Sequence, residues 1–502
     1  MKKPSIFRWG VCLTILFFST TLWGSAKEPP GEMSEETRQC VTCHKKNNPG
    51  IVQQWGASKH YRANVGCYEC HAADADDPDA FIHDEKKVKK NISIIVSPKD
   101  CSNCHAKEVK QAEASHHAAA ANILASLDNL LAEVIEGNSA FITEGFPKGN
   151  SAAAVSGCWQ CHGSIIKVNE DGELDPATWP NTGIGRINPD GSKGSCTACH
   201  ARHQFSVAQA REPDTCGKCH LGPDHPQKEI YEESKHGIQF AAHREELKLD
   251  NPKWIAGEDY FTGPTCATCH MSATRKQPVT HDVGTRISWN NKPPISVRPE
   301  TVDAKMGLPG ADLGWEDRRD NMKDVCSSCH NDEYIENFYT QYDGLITLYN
   351  EKFAKPGLAL MKAAKPLLRP AKFSNKLDWV WFELWHHEGR RARMGTAMMG
   401  PDYTHWHGTY EVAKHFYTEF IPQLDELAKA GINSKDAQKQ AAGKTLKAKL
   451  DEVLNQENHK WYDDKLTDKQ KATRKAAIEQ SKAKYGLGKK TEKAAPAPAT
   501  AK

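Results

Sequence analysis

Long apolar runs are nearly missing from this chain. Beyond residue 26 no stretch is long and apolar enough to span a bilayer, which removes any expectation of a helical membrane span there. Hydrophobic residues make up only 38% of the 502 residues, lean for one large core. A surplus of either charge is missing too. The formal net charge is +2, and nothing in it points to nucleic acid. Cysteine outside a single repeated string is almost absent: of 17 cysteines, one, Cys12, stands alone, and residues 332–460 contain none.

The repeated string is Cys-x-x-Cys-His. It occurs eight times: Cys40, Cys43 and His44; Cys67, Cys70 and His71; Cys101, Cys104 and His105; Cys158, Cys161 and His162; Cys196, Cys199 and His200; Cys216, Cys219 and His220; Cys266, Cys269 and His270; Cys326, Cys329 and His330. Each reads as a covalent attachment site for c-type haem. The two thiols form thioethers with the porphyrin, and the adjacent histidine takes the iron from one side. Zinc sites would need the motifs to pair, and disulfide scaffolds do not require a histidine at one fixed offset. The expected cofactors are eight covalent haems, and the expected business of the chain is moving electrons.

The N-terminus agrees. Lys2, Lys3 and Arg8 precede an apolar stretch from Trp9 to Trp23 and then Gly24-Ser25-Ala26, the pattern of a secretory signal cleaved after Ala26. The mature protein is therefore expected to be soluble and exported, in the periplasm or an equivalent compartment, with no transmembrane anchor. Losing residues 1–26 removes three positive charges and leaves a net charge of about −1.

The expected fold is mainly α, a multihaem cytochrome c fold in which porphyrins supply much of the interior. Residues 27–331 form the haem-binding domain, short helices and loops with little sheet. Residues 332–464 form a helical bundle, with helices over Glu333–Ala354, Asn375–Met394, His407–Leu427 and Ala437–Gln456. In the first of these Tyr334, Phe338, Tyr342, Leu345 and Tyr349 fall at helical spacing, a stripe read as packing. Residues 465–502, rich in Lys and Ala and ending in Ala-Pro-Ala-Pro, read as a disordered tail.

An electron-transfer haem usually takes a second axial ligand, whereas a catalytic one keeps a face open. With one open iron, seven distal histidines are needed. Those near motifs are His60, His83, His116 or His117, His203, His236 and His281. The seventh falls among His386, His387, His405 and His407, with His387 preferred.

The fourth motif, Gly157-Cys158-Trp159-Gln160-Cys161-His162-Gly163, resembles the catalytic Cys-Trp-x-Cys-Lys motif of pentahaem cytochrome c nitrite reductases, with His162 in place of lysine. The order of all eight motifs is similar to the octahaem hydroxylamine oxidoreductase family over residues 38–430. Thr178–Arg186, Cys199–His203, Gly222–Pro226, Ser234–Gly237, Trp385–Arg391 and Asp402–Gly408 support the resemblance. The haem arrangement shared with nitrite reductases covers the last five motifs.

The resemblance implies that His162 is proximal to the one five-coordinate haem. It implies that Asp224 and His225 are its distal acid–base pair. It implies that Tyr403 bonds covalently to the catalytic porphyrin of a neighbouring subunit in a homotrimer, a bond that accompanies oxidation. On this reading the chain oxidises hydroxylamine to nitric oxide or nitrite. A neutral His225 accepts protons, Asp224 fixes its tautomer, and seven bis-histidine haems carry electrons to a partner cytochrome. Three alternatives stay open. They are a reductase taking nitrite or hydroxylamine toward ammonium, favoured if the Tyr403 bond is absent; a hydrazine dehydrogenase; and a non-enzymatic wire with every iron bis-histidine.

Overall fold

The structure is a computed structural model. It describes residues 33–83, 88–125, 130–131, 134–135, 153–307 and 313–487. The expected signal segment with Cys12 and the final residues 488–502 lie outside the described residues.

The fold is mainly α, as expected. Among the described residues the one sheet is a short antiparallel pair, Phe81–His83 with Lys90–Ile92. Elements up to residue 330 are brief because they serve attachment. A Cys-x-x-Cys-His string wound as one helical turn puts both sulfurs and the imidazole on the same side. Caps fix where these turns begin. Ser34 accepts from the Thr37 amide at the start of Glu35–Asn47. Ser97 and Asp100 form a capping box at Pro98–Glu113. Thr265 and Thr268 do the same for Cys266–His270.

After residue 331 the helices lengthen and pack on one another. The apolar core of this part includes Leu360, Phe416, Phe420, Leu424, Leu446 and Leu450, each at most 1% exposed. Ile421–Ile432 and Ala437–Leu454 make a helical hairpin whose contact is glycine-lined. A Cβ on Gly443 would lie 2.4 Å from the Ile432 nitrogen. The expected helix over Asn375–Met394 is observed as Lys376–Phe382 and Gly389–Ala397 joined by a wide π turn, Glu383–Glu388. Such turns recur at functional positions.

Two expectations need correction. In Asp332–Tyr349 the buried stripe is Ile335, Tyr339, Tyr342, Ile346 and Tyr349, while Tyr334 is 55% exposed. Aromatics stand on more than one side of this helix, so periodicity alone cannot choose the buried face. Arg319 chooses it, lying 4.5 Å over the Tyr339 ring. The tail expected to be disordered from residue 465 instead forms a helix, Asp468–Lys484. None of its residues is buried, but Ala, Lys and Gln are strong helix formers. A Thr467–Gln470 capping box starts it, and Gln470 ties it to Glu457 at 3.0 Å.

Candidate haem and catalytic site

The motif histidines meet other histidines across gaps of one size. Ring centroids lie 6.2 Å apart for His44 and His83, 6.4 Å for His71 and His203, and 6.2 Å for His105 and His60. The separations are 6.4 Å for His200 and His281, 6.1 Å for His220 and His117, and 6.2 Å for His330 and His236. An imidazole nitrogen sits about 2 Å from a bound metal with its ring centre roughly 1.1 Å behind, so two rings sharing one ion are about 6.2 Å apart. The residues therefore fit an iron between each pair. The ring nitrogen facing away is also provided for. His71 donates Nδ1–H to the Ser93 carbonyl at 2.8 Å, and His44 donates to Asn48 Oδ1 at 2.9 Å, leaving each Nε2 lone pair for the metal.

Distant chain segments hold these pairs in register. Gln54 Oε1 accepts from the His203 amide at 3.2 Å, and Gln111 Oε1 from the His281 amide at 3.1 Å. His116 and His117 point in different directions. His117 faces His220, whereas His116 Nε2 turns to Asp303 at 2.7 Å. Among the described residues no ring stands at this spacing from His270. His387 packs against Phe382 and His386, with centroids 5.5 and 5.3 Å away. His405 meets Trp406 edge to face, and His407 lies between Asp402 and Glu411.

The fourth motif rests on the Thr178–Arg186 loop. Ile184 N bonds the Cys161 carbonyl at 3.0 Å, and Gly185 N the His162 carbonyl at 3.2 Å. A Cβ on Gly183 would stand 2.1 Å from the Gly163 nitrogen and 2.3 Å from the Trp159 oxygen, so only glycine permits this backbone contact. Arg186, 2% exposed, bonds Asn188, Asn181 and Val96. Cys161 and Cys219 lie side by side, so the fourth and sixth attachment sites are neighbours.

Asp224 and His225 lie beside this junction. The His225 ring centre is 6.5 Å from that of His162 and 6.2 Å from that of His220. Nδ1 meets Asp224 Oδ1 at 2.5 Å, and Nε2 meets the Cys219 carbonyl at 2.9 Å. A carbonyl can only accept, and so can an ionised carboxylate. Both ring nitrogens must then carry protons, making His225 an imidazolium. The sequence reading takes His225 as neutral and proton-accepting; this geometry instead places an acceptor at each of its ring nitrogens. Burial works against the charge on His225, but the bond and charge of Asp224 raise its titration above the ordinary histidine value. Burial likewise opposes the charge on Asp224, yet His225, His386 and Arg390 hold its carboxyl down to about 2.

Sequence reasoning found this pair but not the structural roles of Arg390 and His386. Arg390 Nη1 lies 3.2 Å from Asp224 Oδ2, its Nε bonds the Lys292 carbonyl at 2.9 Å, and its guanidinium lies 5.3 Å from the Trp385 ring centre. His386 Nε2 is 4.0 Å from the same carboxylate oxygen. His386 lies within the π turn and Arg390 in the helix just after it, and their neighbourhood to Asp224 bridges more than 160 residues of sequence. Tyr403 stands elsewhere, half-buried on Pro401–Thr404. Its amide bonds Glu233 Oε1 at 3.3 Å, and its ring lies 5.6 Å from that of His407.

These features define a haem-binding, electron-carrying class of protein, and comparison with known proteins places the chain within it. Residues 189–356 match the family "Seven times multi-haem cytochrome CxxCH", residues 142–221 match "Cytochrome c3", and residues 21–92 match "Cytochrome c554 and c-prime". A solved structure described as a hypothetical multiheme protein is 30% identical, with a TM-score of 0.67, over 79% of this chain and 97% of its own. The chain belongs to the multihaem c-type cytochromes, and its haems are covalently bound. A Kuenenia stuttgartiensis protein described as a probable nitrite reductase-hydroxylamine oxidoreductase fusion is 27% identical over 331 residues, 59% of this chain. The match spans about a third, 34%, of that relative's own length. The fold is also shared with the Kuenenia stuttgartiensis reducing HAO-like protein complex, at 19% identity and a TM-score of 0.54, over 81% of this chain and 89% of that one.

Proposed function

We propose that this chain is an octahaem reductase that takes nitrite or hydroxylamine toward ammonium at the haem of the fourth motif, proximal to His162. One observation carries the direction: His225 sits between two acceptors and so enters the reaction already holding the proton it can give. A bound c-type haem would supply an iron that accepts electrons and holds a small nitrogen ligand. The protein groups do the rest. His225 donates to the substrate oxygen as the N–O bond breaks, and Asp224 holds the imidazolium in place. Arg390 adds positive charge beside Asp224, which favours an anionic substrate such as nitrite. The six facing histidine pairs support electron-transfer haems around that centre. Export, a homotrimer and a partner cytochrome as electron donor complete the reading.

Hydroxylamine oxidation is the second reading, and the placement of Tyr403 favours it. Tyr403 lies near Trp406 and Tyr410 in the chain, which are 56% and 48% exposed. A tyrosine in that setting can reach a neighbouring subunit. The test is turnover of the purified holoprotein in both directions, with proteolytic mass spectrometry of the Tyr403 peptide. We expect faster reduction of nitrite or hydroxylamine, falling as pH rises through the His225 titration, and an unmodified Tyr403. Dominant hydroxylamine oxidation with Tyr403 joined to the Cys158–Cys161 peptide would overturn the proposal.

A further inference from the structure

Tyr334 is exposed where its helical spacing predicts packing, and nothing described so far uses its ring. It stands on the first turn of Asp332–Tyr349 at 55% exposure, while Ile335 and Tyr339 anchor the helix beneath it. Asn331 caps that helix directly after the eighth motif, its side chain accepting from the Tyr334 amide at 2.9 Å. The cap therefore fixes the backbone of Tyr334 relative to His330, four residues back. Core packing does not account for the ring, yet the ring has a partner. It lies on the His330 imidazole, with centroids 4.7 Å apart and planes 13° from parallel.

Other aromatic side chains reach the facing histidines edge-on. Phe205 meets His60 at 81°, and Phe81 meets His83 at 83°. A parallel ring does something that an edge does not. Turning the imidazole about its bond to a metal would drive it into the phenol face, and close-packed groups resist such overlap. Outer contacts of this sort set the plane of a metal-bound imidazole. At His44 and His71 the outer contact is a hydrogen bond, to Asn48 and to the Ser93 carbonyl. At His330 it is the ring of Tyr334. The plane has consequences, because His330 and His236 face each other at 51° across 6.2 Å. The angle between two axial imidazoles shapes the electronic structure of a low-spin iron and so its g values. A ring over one imidazole face also keeps water from the site, and water favours the more highly charged ferric state.

We infer that Tyr334 is a positioning residue for the haem attached at Cys326 and Cys329, holding the plane of His330 and raising that haem's midpoint potential. It acts through the imidazole and touches no substrate. The inference rests on the bound haems alone and not on the substrate or direction assigned above.

The test compares Y334A and Y334F holoproteins with the unaltered one by electron paramagnetic resonance and spectroelectrochemistry. We expect Y334A to move the largest g value of one low-spin haem and to lower its midpoint, with Y334F leaving both in place. The moved signal should be the one that H236A converts to high-spin. Unchanged g values and midpoints in Y334A would overturn the assignment. So would a Y334F shift as large as that of Y334A, since the hydroxyl and not the ring would then act, or a moved signal that H236A leaves untouched. If Y334A loses haem, a crystal structure of the unaltered holoprotein decides. Parallel rings about 5 Å apart support the inference, and a Tyr334 turned away from His330 overturns it.

Discussion

Replacing Asp224 by asparagine is the sharpest probe of the proton-donor reading. The change keeps the side chain's size and exchanges a carboxylate for a neutral amide opposite His225 Nδ1. Asp224 is held at about 2, against an ordinary value of 3.8. Burial pushes the other way, so the bond and charge of His225, then His386 and Arg390, do the lowering. A displacement of that size corresponds to about 2 kcal/mol. Coupling is mutual, so the imidazolium loses a comparable share of its support when the carboxylate is removed. If proton donation limits turnover, reductive kcat/KM should fall roughly 30-fold. The pH profile should also move. His225 titrates above its ordinary value, so the donor form is present at low pH and lost as pH rises through the folded value. In D224N that loss should begin at lower pH. Stability follows the opposite sign. A depressed carboxylate stabilises the fold above its ordinary value, and that contribution is lost as pH falls from 3.8 toward about 2. D224N should therefore show a shallower acid-unfolding slope there. An unchanged alkaline limb together with an unchanged rate would refute the reasoning.

Three further outcomes are expected. H225N should lower reductive kcat by about 100-fold or more while the low-spin spectrum stays the same, because both ring nitrogens are bonded to protein atoms; a rate near that of the unaltered protein would remove His225 from the chemistry. H203A should convert one low-spin haem to high-spin, since His203 faces His71 at 6.4 Å; electron paramagnetic resonance with an unaltered low-spin count would contradict the pairing. G183A should destabilise the fourth-motif loop by about 2–3 kcal/mol, because the added carbon meets backbone at 2.1 and 2.3 Å; thermal melting and a haem count per chain would show it, and a fully loaded variant of unchanged Tm would not fit.

Much of this was legible from spacing, because covalent attachment imposes a rigid string. The same is true of six facing histidines, His60, His83, His117, His203, His236 and His281, which stand close to motifs in sequence or follow them. What spacing could not decide was direction. His116 and His117 are adjacent on a turn, and only the Asp303 carboxylate, 187 residues away, turns one of them aside. Arg390 reaches Asp224 across 166 residues, a contact with no sequence periodicity to reveal it. The buried face of Asp332–Tyr349 was shifted because Arg319 picks between adjacent aromatic stripes. Disorder of the tail was inferred from polarity, which says that a segment buries nothing. It does not say that a capped, alanine-rich segment fails to wind.

The protonation of His225 ties the two currencies of the proposed reaction to the same atoms. A helical turn leaves carbonyls unsatisfied at its end, and these attract positive charge. The sixth motif ends this way at Cys219, whose carbonyl accepts from His225 Nε2. Cys219 is also a haem-attachment cysteine, and its thiol adjoins Cys161 of the fourth motif. The residue that fixes the neighbouring electron carrier is thus the residue that obliges His225 to keep its second proton. Asp224 enforces the first. An oxidase needs a base that is empty when substrate arrives, and this histidine could be emptied only by giving up a bond to one of its two acceptors. A reductase needs a donor that is full, beside the point where electrons enter. The proposed reductive reading rests on the second arrangement, set by backbone and carboxylate geometry that the eight motifs alone do not encode.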